Sequence, residues 1–238
     1  NWQACQLDPA RDLPASIGLS PAQVDALRVL WTGLRRADGS LIYEGLGYGD
    51  LTAGAAIYAA FGLGHLRNVV HNDPQWLPAG GRFDVERDLP AVWAVLEGRY
   101  QFSASVSGLA QYLRDGRKLL LWHGADDPII SHRDLIRTWA DVVGAAGAQV
   151  ARANSRLYIA PGVAHCGGGE GADTADLLAA MMQWVEAGKA PGTLLASKRE
   201  AGTGNVRFTR PLCEYPRWAR YDGKGDVNSA SSFSCAAE

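Results

Sequence analysis

The stretch Lys118-Leu119-Leu120-Leu121-Trp122-His123-Gly124-Ala125-Asp126-Asp127-Pro128 decides how the chain folds. Residues 118–123 form an apolar run of strand length without alternation, the pattern of a strand covered on both faces in a parallel sheet. A polar loop, Gly124–Pro128, follows. Ser131 then stands as a helix N-cap, with Asp134 three residues on to complete a capping box. Leu135, Ile136, Trp139, Val142 and Val143 make the buried face of that helix, and Gly144 or Gly147 stops it. Arg156-Leu157-Tyr158-Ile159-Ala160 is a second strand and residues 161–169 a second loop. Asp173 is expected to cap a helix bearing Leu177, Leu178, Met181, Met182 and Val185, ending at Gly188. The order is a βαβα unit, and the fold class is α/β.

Upstream, a short helix ends over Leu109–Leu113 and Asp115-Gly116 makes a turn. Residues 1–19 read as irregular. Ser20, Pro21 and Gln23 open a helix as N-cap, first helical residue and reciprocal capping partner, and Val24, Leu27, Leu30, Trp31 and Leu34 give it an apolar face. Residues 37–40 form a turn and 41–43 a short extended piece. Residues 44–90 are rich in glycine and poor in periodicity, which suggests a functional loop region or cover. A short helix is expected over 91–97, with Val92, Trp93 and Leu96 on one side, and the tail from 190 reads as irregular. There is no internal repeat.

The 238 residues suit one large domain or pieces of two. Lys plus Arg number 23 and Asp plus Glu 25, a balance that excludes a basic nucleic-acid binder and an acidic tail. At 47% hydrophobic and 20% charged the chain can bury a core, and no stretch reaches the roughly 18 apolar residues of a membrane span. The first five residues show neither a basic nor an apolar leader region. Four cysteines, Cys5, Cys166, Cys213 and Cys235, form no C-x-x-C pair, which argues against zinc; spacing leaves all three of their pairings open.

In open α/β sheets, chemistry gathers at the carboxyl edge of the strands. One such loop carries Asp126 and Asp127 and the next carries His165, 38 residues beyond Asp127. An acid followed by a histidine on successive strand ends is the second half of a Ser…Asp…His order. The carboxylate would hold the imidazole in one tautomer, and the other ring nitrogen would take a proton from a serine. The plainer alternatives are a polar turn before Pro128 and a surface histidine. His65, His71, His123 and His132 have weaker claims, with His123 expected to line the floor under the acid. The run Gly167–Gly169 lacks phosphate-loop spacing and serves to turn the chain beside His165. No G-x-S-x-G occurs anywhere.

Residues 122–128 (Trp-His-Gly-Ala-Asp-Asp-Pro) and 163–169 (Val-Ala-His-Cys-Gly-Gly-Gly) resemble the tannase and feruloyl esterase family. So do 187–191 (Ala-Gly-Lys-Ala-Pro), 209–216 (Thr-Arg-Pro-Leu-Cys-Glu-Tyr-Pro), 219–228 (Ala-Arg-Tyr-Asp-Gly-Lys-Gly-Asp-Val-Asn) with Phe233-Ser234-Cys235, and the helix start 20–24. The likeness is dense over 105–238 and thinner over 25–104.

The resemblance implies a partial α/β-hydrolase core: residues 1–104 as the C-terminal part of a lid domain, and 105–238 as the C-terminal part of the core. It makes Asp127, directly before Pro128, the acid and His165 the base. It gives Cys166 a disulfide to a cysteine beside the serine, outside this chain, and pairs Cys213 with Cys235. The nucleophile and oxyanion-hole segments are not in these residues, so a missing N-terminal segment or second chain would carry them. No cofactor is required for catalysis. The family's structural calcium would have its ligands upstream of Asn1, and Cys5 would lack its usual partner. The implied function is a serine ester hydrolase for gallate, ferulate and other hydroxycinnamate, or terephthalate mono-esters, in a secreted or periplasmic protein, with no nucleic-acid or membrane partner. Trp31, Tyr43, Tyr48, Tyr58, Phe61, Trp76 and Trp93 would suit an aromatic acyl group or simply fill a lid core. The alternatives are a non-catalytic lid-bearing or binding module, and a non-ester hydrolase on the same core.

Overall fold

The computed structural model describes residues 6–13, 15–49, 54, 61–101, 105–165 and 167–237. Cys5, Tyr58 and Cys166 therefore lie outside the described residues.

Asp8 caps a first short helix, α1 (Pro9–Asp12), and pairs with Arg28 of the next one. That helix, α2 (Pro21–Thr32), begins as the sequence predicts. Gln23 N donates to Ser20 Oγ, and Ser20 N donates to Gln23 Oε1 at 2.9 Å, a closed capping box with Pro21 at the first helical position. Trp31 is the residue of its apolar face that becomes buried. Strands β1 (Leu34–Arg35) and β2 (Leu41–Tyr43) pair antiparallel around the turn at 37–40. The glycine-rich stretch beyond contains α3 (Leu63–His65), which runs into a π-helical turn over Leu66–Val70. Helix α4 (Val85–Leu96) starts six residues before the expected 91. The Asp84 carboxylate accepts the Arg87 amide and fixes the start; Pro90, inside the helix, reads from sequence as a breaker.

The α/β unit is built from α5 (Val106–Arg114), β3 (Leu119–Gly124), α6 (His132–Ala146), α7 (Ala148–Asn154) and β4 (Ser155–Ala160). Strands β3 and β4 are parallel, with Trp122 opposite Tyr158 and His123 opposite Ile159. In β4, Leu157 and Ile159 face Leu135, Ile136 and Trp139 of α6, while Tyr158 and Ala160 face Val163, Ala196 and Leu212. Both faces of β4 are covered, which the sequence reading expected of the run at 118–123, that is, of β3. β3 differs: its residues stay half-buried until Gly124, because β4 is its one strand neighbour among the described residues. Helix α7 has no counterpart in the sequence reading; Gly147 ends α6 and the chain restarts immediately as a second helix. The Asp134 half of the expected capping box does not form. Ser131 N donates instead to the Tyr43 hydroxyl at 2.9 Å, leaving Asp134 to pair with Arg137.

Helix α8 follows, after the two-residue strand β5 (Thr174–Ala175). It spans Leu177–Ala187 and ends at Gly188 as expected. Its cap is Asp176, which accepts the Ala179 amide, and not Asp173, which is turned toward Lys198. The tail is ordered, contrary to its sequence reading. β6 (Leu194–Arg199) and β7 (Val206–Leu212) form a hairpin, and β8 (Trp218–Tyr221) pairs with β9 (Phe233–Ala236). Pro211 is tolerated because β7 is an edge strand. The Cys213–Cys235 disulfide, with Cα atoms 5.7 Å apart, ties the two pairs together, as the resemblance implied. Tyr215 N donates to Leu157 O, so the closing segment lies along β4. No helix among the described residues is long and apolar enough to cross a membrane.

Candidate active site

The loops after β3 and β4 meet at the carboxyl edge of the parallel pair. Ala125 N donates to Ala160 O at 2.9 Å and Asp126 N to Val163 O at 3.0 Å. This close approach needs a residue without Cβ at position 124: a Cβ there would collide with the Val163 carbonyl oxygen and lie 2.5 Å from that of Ala164. On the other side the strap after β2 presses against the acid loop, where Gly47 and Gly49 face the backbone and side chain of Ala125 and Asp126 with no room for a Cβ. Ser131 Oγ donates to Gly45 O at 2.6 Å and fastens strap to helix. The glycine-rich stretch that lacks periodicity is thus partly a clamp on the acid loop.

Asp127 is 2% exposed and uses both carboxylate oxygens. Oδ1 accepts the amides of Ile129 at 2.8 Å and Ile130 at 3.0 Å. Oδ2 lies 2.8 Å from His165 Nδ1 and 3.1 Å from His123 Nε2. Burial pushes the carboxyl upward, but the His165 hydrogen bond and the two amides outweigh it and hold Asp127 below its ordinary value. An ionised carboxylate only accepts, so Nδ1 of His165 donates to it, and in the neutral ring Nε2 then presents a lone pair. The His165 side chain is 40% exposed, and no described residue bonds its Nε2. The pair therefore has the geometry of an oriented general base, its orienting acid buried and its basic nitrogen accessible.

Asp126, one position earlier, is half-buried; burial raises its carboxyl and the Gly162 amide partly offsets this. His123 does lie against the acid, as the sequence places it, and its Nε2 donates to Ile130 O at 3.0 Å. His132 is buried at the start of α6. Burial, helped by the charge of Arg133 and by His123, lowers it to about 4, so it is neutral at pH 7. His65 is exposed, and His71 stacks on Trp76 at 4.0 Å; no contact joins either to the pair.

Glycines 167–169 all adopt positive φ and turn the chain back beside His165. Lys198 of β6 holds that turn: its Nζ donates to Gly169 O at 2.7 Å and to Asp173 Oδ2 at 2.9 Å, while Gly168 N donates to the same carboxylate oxygen. Sequence reading missed this clamp, because its partners are 25 residues apart and nothing local marks them. Of the aromatic residues singled out, Trp31 and Tyr48 pack edge to face and Tyr43 bonds Ser131, whereas Phe61 and Trp93 are exposed. Among the described residues no cluster of three or more His, Cys, Asp or Glu could hold a metal ion.

Comparison with known proteins finds esterases. A mono(2-hydroxyethyl) terephthalate hydrolase of Piscinibacter sakaiensis is 38% identical over 167 residues, 66% of this chain and 26% of that protein. A probable feruloyl esterase of Arthroderma benhamiae is 34% identical over 209 residues, 82% of this chain and 37% of that protein. The chain thus spans well under half of these curated relatives. Among solved structures, an esterase from Aspergillus oryzae superposes with a TM-score of 0.77 at 24% identity, covering 98% of this chain and 51% of the other. Feruloyl esterase B from the same organism gives 0.75, covering 99% and 51%. These neighbours fit an α/β-hydrolase-like fold. The family model described as tannase and feruloyl esterase matches residues 93–236, which include the acid loop, the histidine loop and the disulfide: the chain belongs to the tannase and feruloyl esterase family.

Proposed function

We propose that the protein carrying this chain is a serine ester hydrolase for esters of aromatic acids, in which Asp127 is the acid and His165 the general base. The observation that carries this reading is the 2.8 Å bond between His165 Nδ1 and buried Asp127 Oδ2, with Nε2 bonded by none of the described residues. In the reaction, Nε2 takes the proton of a serine hydroxyl as its oxygen attacks the ester carbonyl. The imidazolium, stabilised by Asp127, then protonates the departing alcohol. In the second half His165 removes a proton from water, which attacks the acyl-enzyme, and returns it to the serine as the acid leaves.

The serine is assigned to residues outside these 238, beside a cysteine that pairs with Cys166. Two facts support this: the absence of G-x-S-x-G here, and the small share of each curated relative that the chain spans. In the same reading residues 1–104 are the C-terminal part of a lid and 105–238 the C-terminal part of the hydrolase core. The half-buried β3, with one strand neighbour, suits an edge that the rest of the core would cover. The relatives' names point to feruloyl and terephthalate mono-esters, and exposed Phe61 and Trp93 offer aromatic surface. A lid calcium would draw its ligands from outside this chain, and no step runs through it. The disulfide fits a secreted or periplasmic protein.

The test is hydrolysis of methyl ferulate, methyl gallate and mono(2-hydroxyethyl) terephthalate by the whole protein. Turnover of at least one, with a burst of alcohol equal to the enzyme present, is expected. Absence of turnover on all three, in protein shown to be folded, would refute the assignment and favour a binding module.

A further inference from the structure

We propose that His123 is a positioning residue for the acid–base pair: from the end of β3 it pins the turn that aims Asp127 at His165. The proposal rests on the Asp127–His165 reading and adds a residue to it.

His123 Nε2 faces two oxygens, the Ile130 carbonyl at 3.0 Å and Asp127 Oδ2 at 3.1 Å. A carbonyl and an ionised carboxylate only accept, and a nitrogen lone pair at these distances would repel both, so Nε2 carries a hydrogen. Its bond is made to Ile130 O, and Oδ2 sits beside it in the positive field of the same N–H. Ile130 in turn donates its own amide to Asp127 Oδ1. The result is a closed circuit: His123 holds the Ile130 carbonyl, Ile130 holds one carboxylate oxygen, and the His123 N–H flanks the other. Rotation of the carboxylate about Cβ–Cγ would break this circuit. Its anchor is firm, because the His123 backbone is in the ladder opposite Ile159. The other titratable or charged groups facing the pair are His132, Tyr43 and, through His132, Arg133. His123 touches the buried side of Asp127 and so acts through the acid.

Two effects follow. The carboxylate is held with Oδ2 toward His165, and part of the negative charge on Oδ2 is balanced by the His123 N–H. Without that N–H, Asp127 would be the more basic partner, would bind the His165 Nδ1 proton more strongly, and would favour the protonated ring.

The test is a set of three variants. In His123→Gln the amide nitrogen can reach the place of Nε2, whereas in His123→Asn it reaches only the place of Nδ1; His123→Phe has no donor. The first readout is the low-field proton NMR signal of His165 Nδ1–H, taken without any ester. Phe and Asn should move it downfield, and Gln should return it toward the wild-type position. The second readout is ester hydrolysis. Phe and Asn should lower kcat about tenfold with KM little changed, and raise the acid limb of the pH profile by about half a pH unit. Gln should recover most of both. A wild-type signal and pH profile in His123→Phe would overturn the proposal, as would equal behaviour of Gln and Asn. If Phe fails to fold by thermal melting, the Gln–Asn comparison decides. Movement of the NMR signal in a protein that hydrolyses no ester would keep His123 in its role and sink the esterase reading alone.

Discussion

Gly124→Ala tests whether the two loops must touch for the site to exist. Gly124 is the last residue of β3, and its Cα faces the histidine loop so closely that an added methyl would collide with the Val163 carbonyl oxygen and lie 2.5 Å from that of Ala164 and 2.8 Å from the Val163 carbonyl carbon. These are backbone atoms and no side-chain rotation relieves them. Restoring ordinary contact requires the loops to separate by roughly 1 Å, a displacement of the size that costs about a hundredfold in rate when it falls on a catalytic group. Ala164 adjoins His165, so the shift is transmitted directly to a bond now 2.8 Å long, and a bond stretched that far is lost. Overpacking should also lower stability by about 1–3 kcal/mol. The assay is kcat/KM on methyl ferulate by the whole protein, beside urea unfolding. Gly144→Ala is the control, since its Cβ would meet nothing within 4 Å and it lies inside α6. Activity of Gly124→Ala within twofold of the parent would refute the argument that this contact sets the geometry of the pair.

Asp127→Asn should reduce kcat about ten-thousandfold by presenting the wrong hydrogen-bonding partner to Nδ1, while Asp126→Asn stays within about tenfold; the kinetics of the two variants decide between them. Replacing Cys213 and Cys235 by serine opens a crosslink between residues 22 apart and should cost roughly 3 kcal/mol in urea unfolding, with little change in turnover of the folded fraction. His132 is held at about 4 when folded but titrates near 6.5 when unfolded, so the unfolded chain binds its proton first as pH falls. Its contribution is therefore whole above pH 6.5 and lost toward pH 4, by on the order of 3 kcal/mol. His132→Phe should flatten the fall in unfolding free energy over that window, and an unchanged slope would contradict its buried, neutral state.

What could be read in advance follows local rules. The capping box at Ser20, the apolar runs that became β3 and β4, and the stop at Gly188 each depend on neighbours a few residues away. The two loops that carry Asp127 and His165 were legible for the same reason, since each follows a strand end. What was missed depends on distant partners. Asp173 has the sequence of a helix cap but serves Lys198, and Ser131 turns to Tyr43 and Gly45 in place of Asp134. The tail reads as irregular because Pro191, Pro211 and Pro216 interrupt it, whereas β7 accommodates Pro211 at a sheet edge. Residues 44–49 showed no periodicity because their glycines answer to backbone on the acid loop and on α2, not to a repeating buried face.

The most direct test of the central claim is the turnover of His165→Ala in the whole protein with a methyl ester of ferulic or gallic acid. Loss of the base should leave the serine hydroxyl without a proton acceptor and reduce kcat by about four orders of magnitude or more, in a protein that still folds but loses about 1–3 kcal/mol of stability with the bond to buried Asp127. Turnover within tenfold of the parent would contradict the account, since the imidazole that Asp127 orients would then not be the base of the reaction.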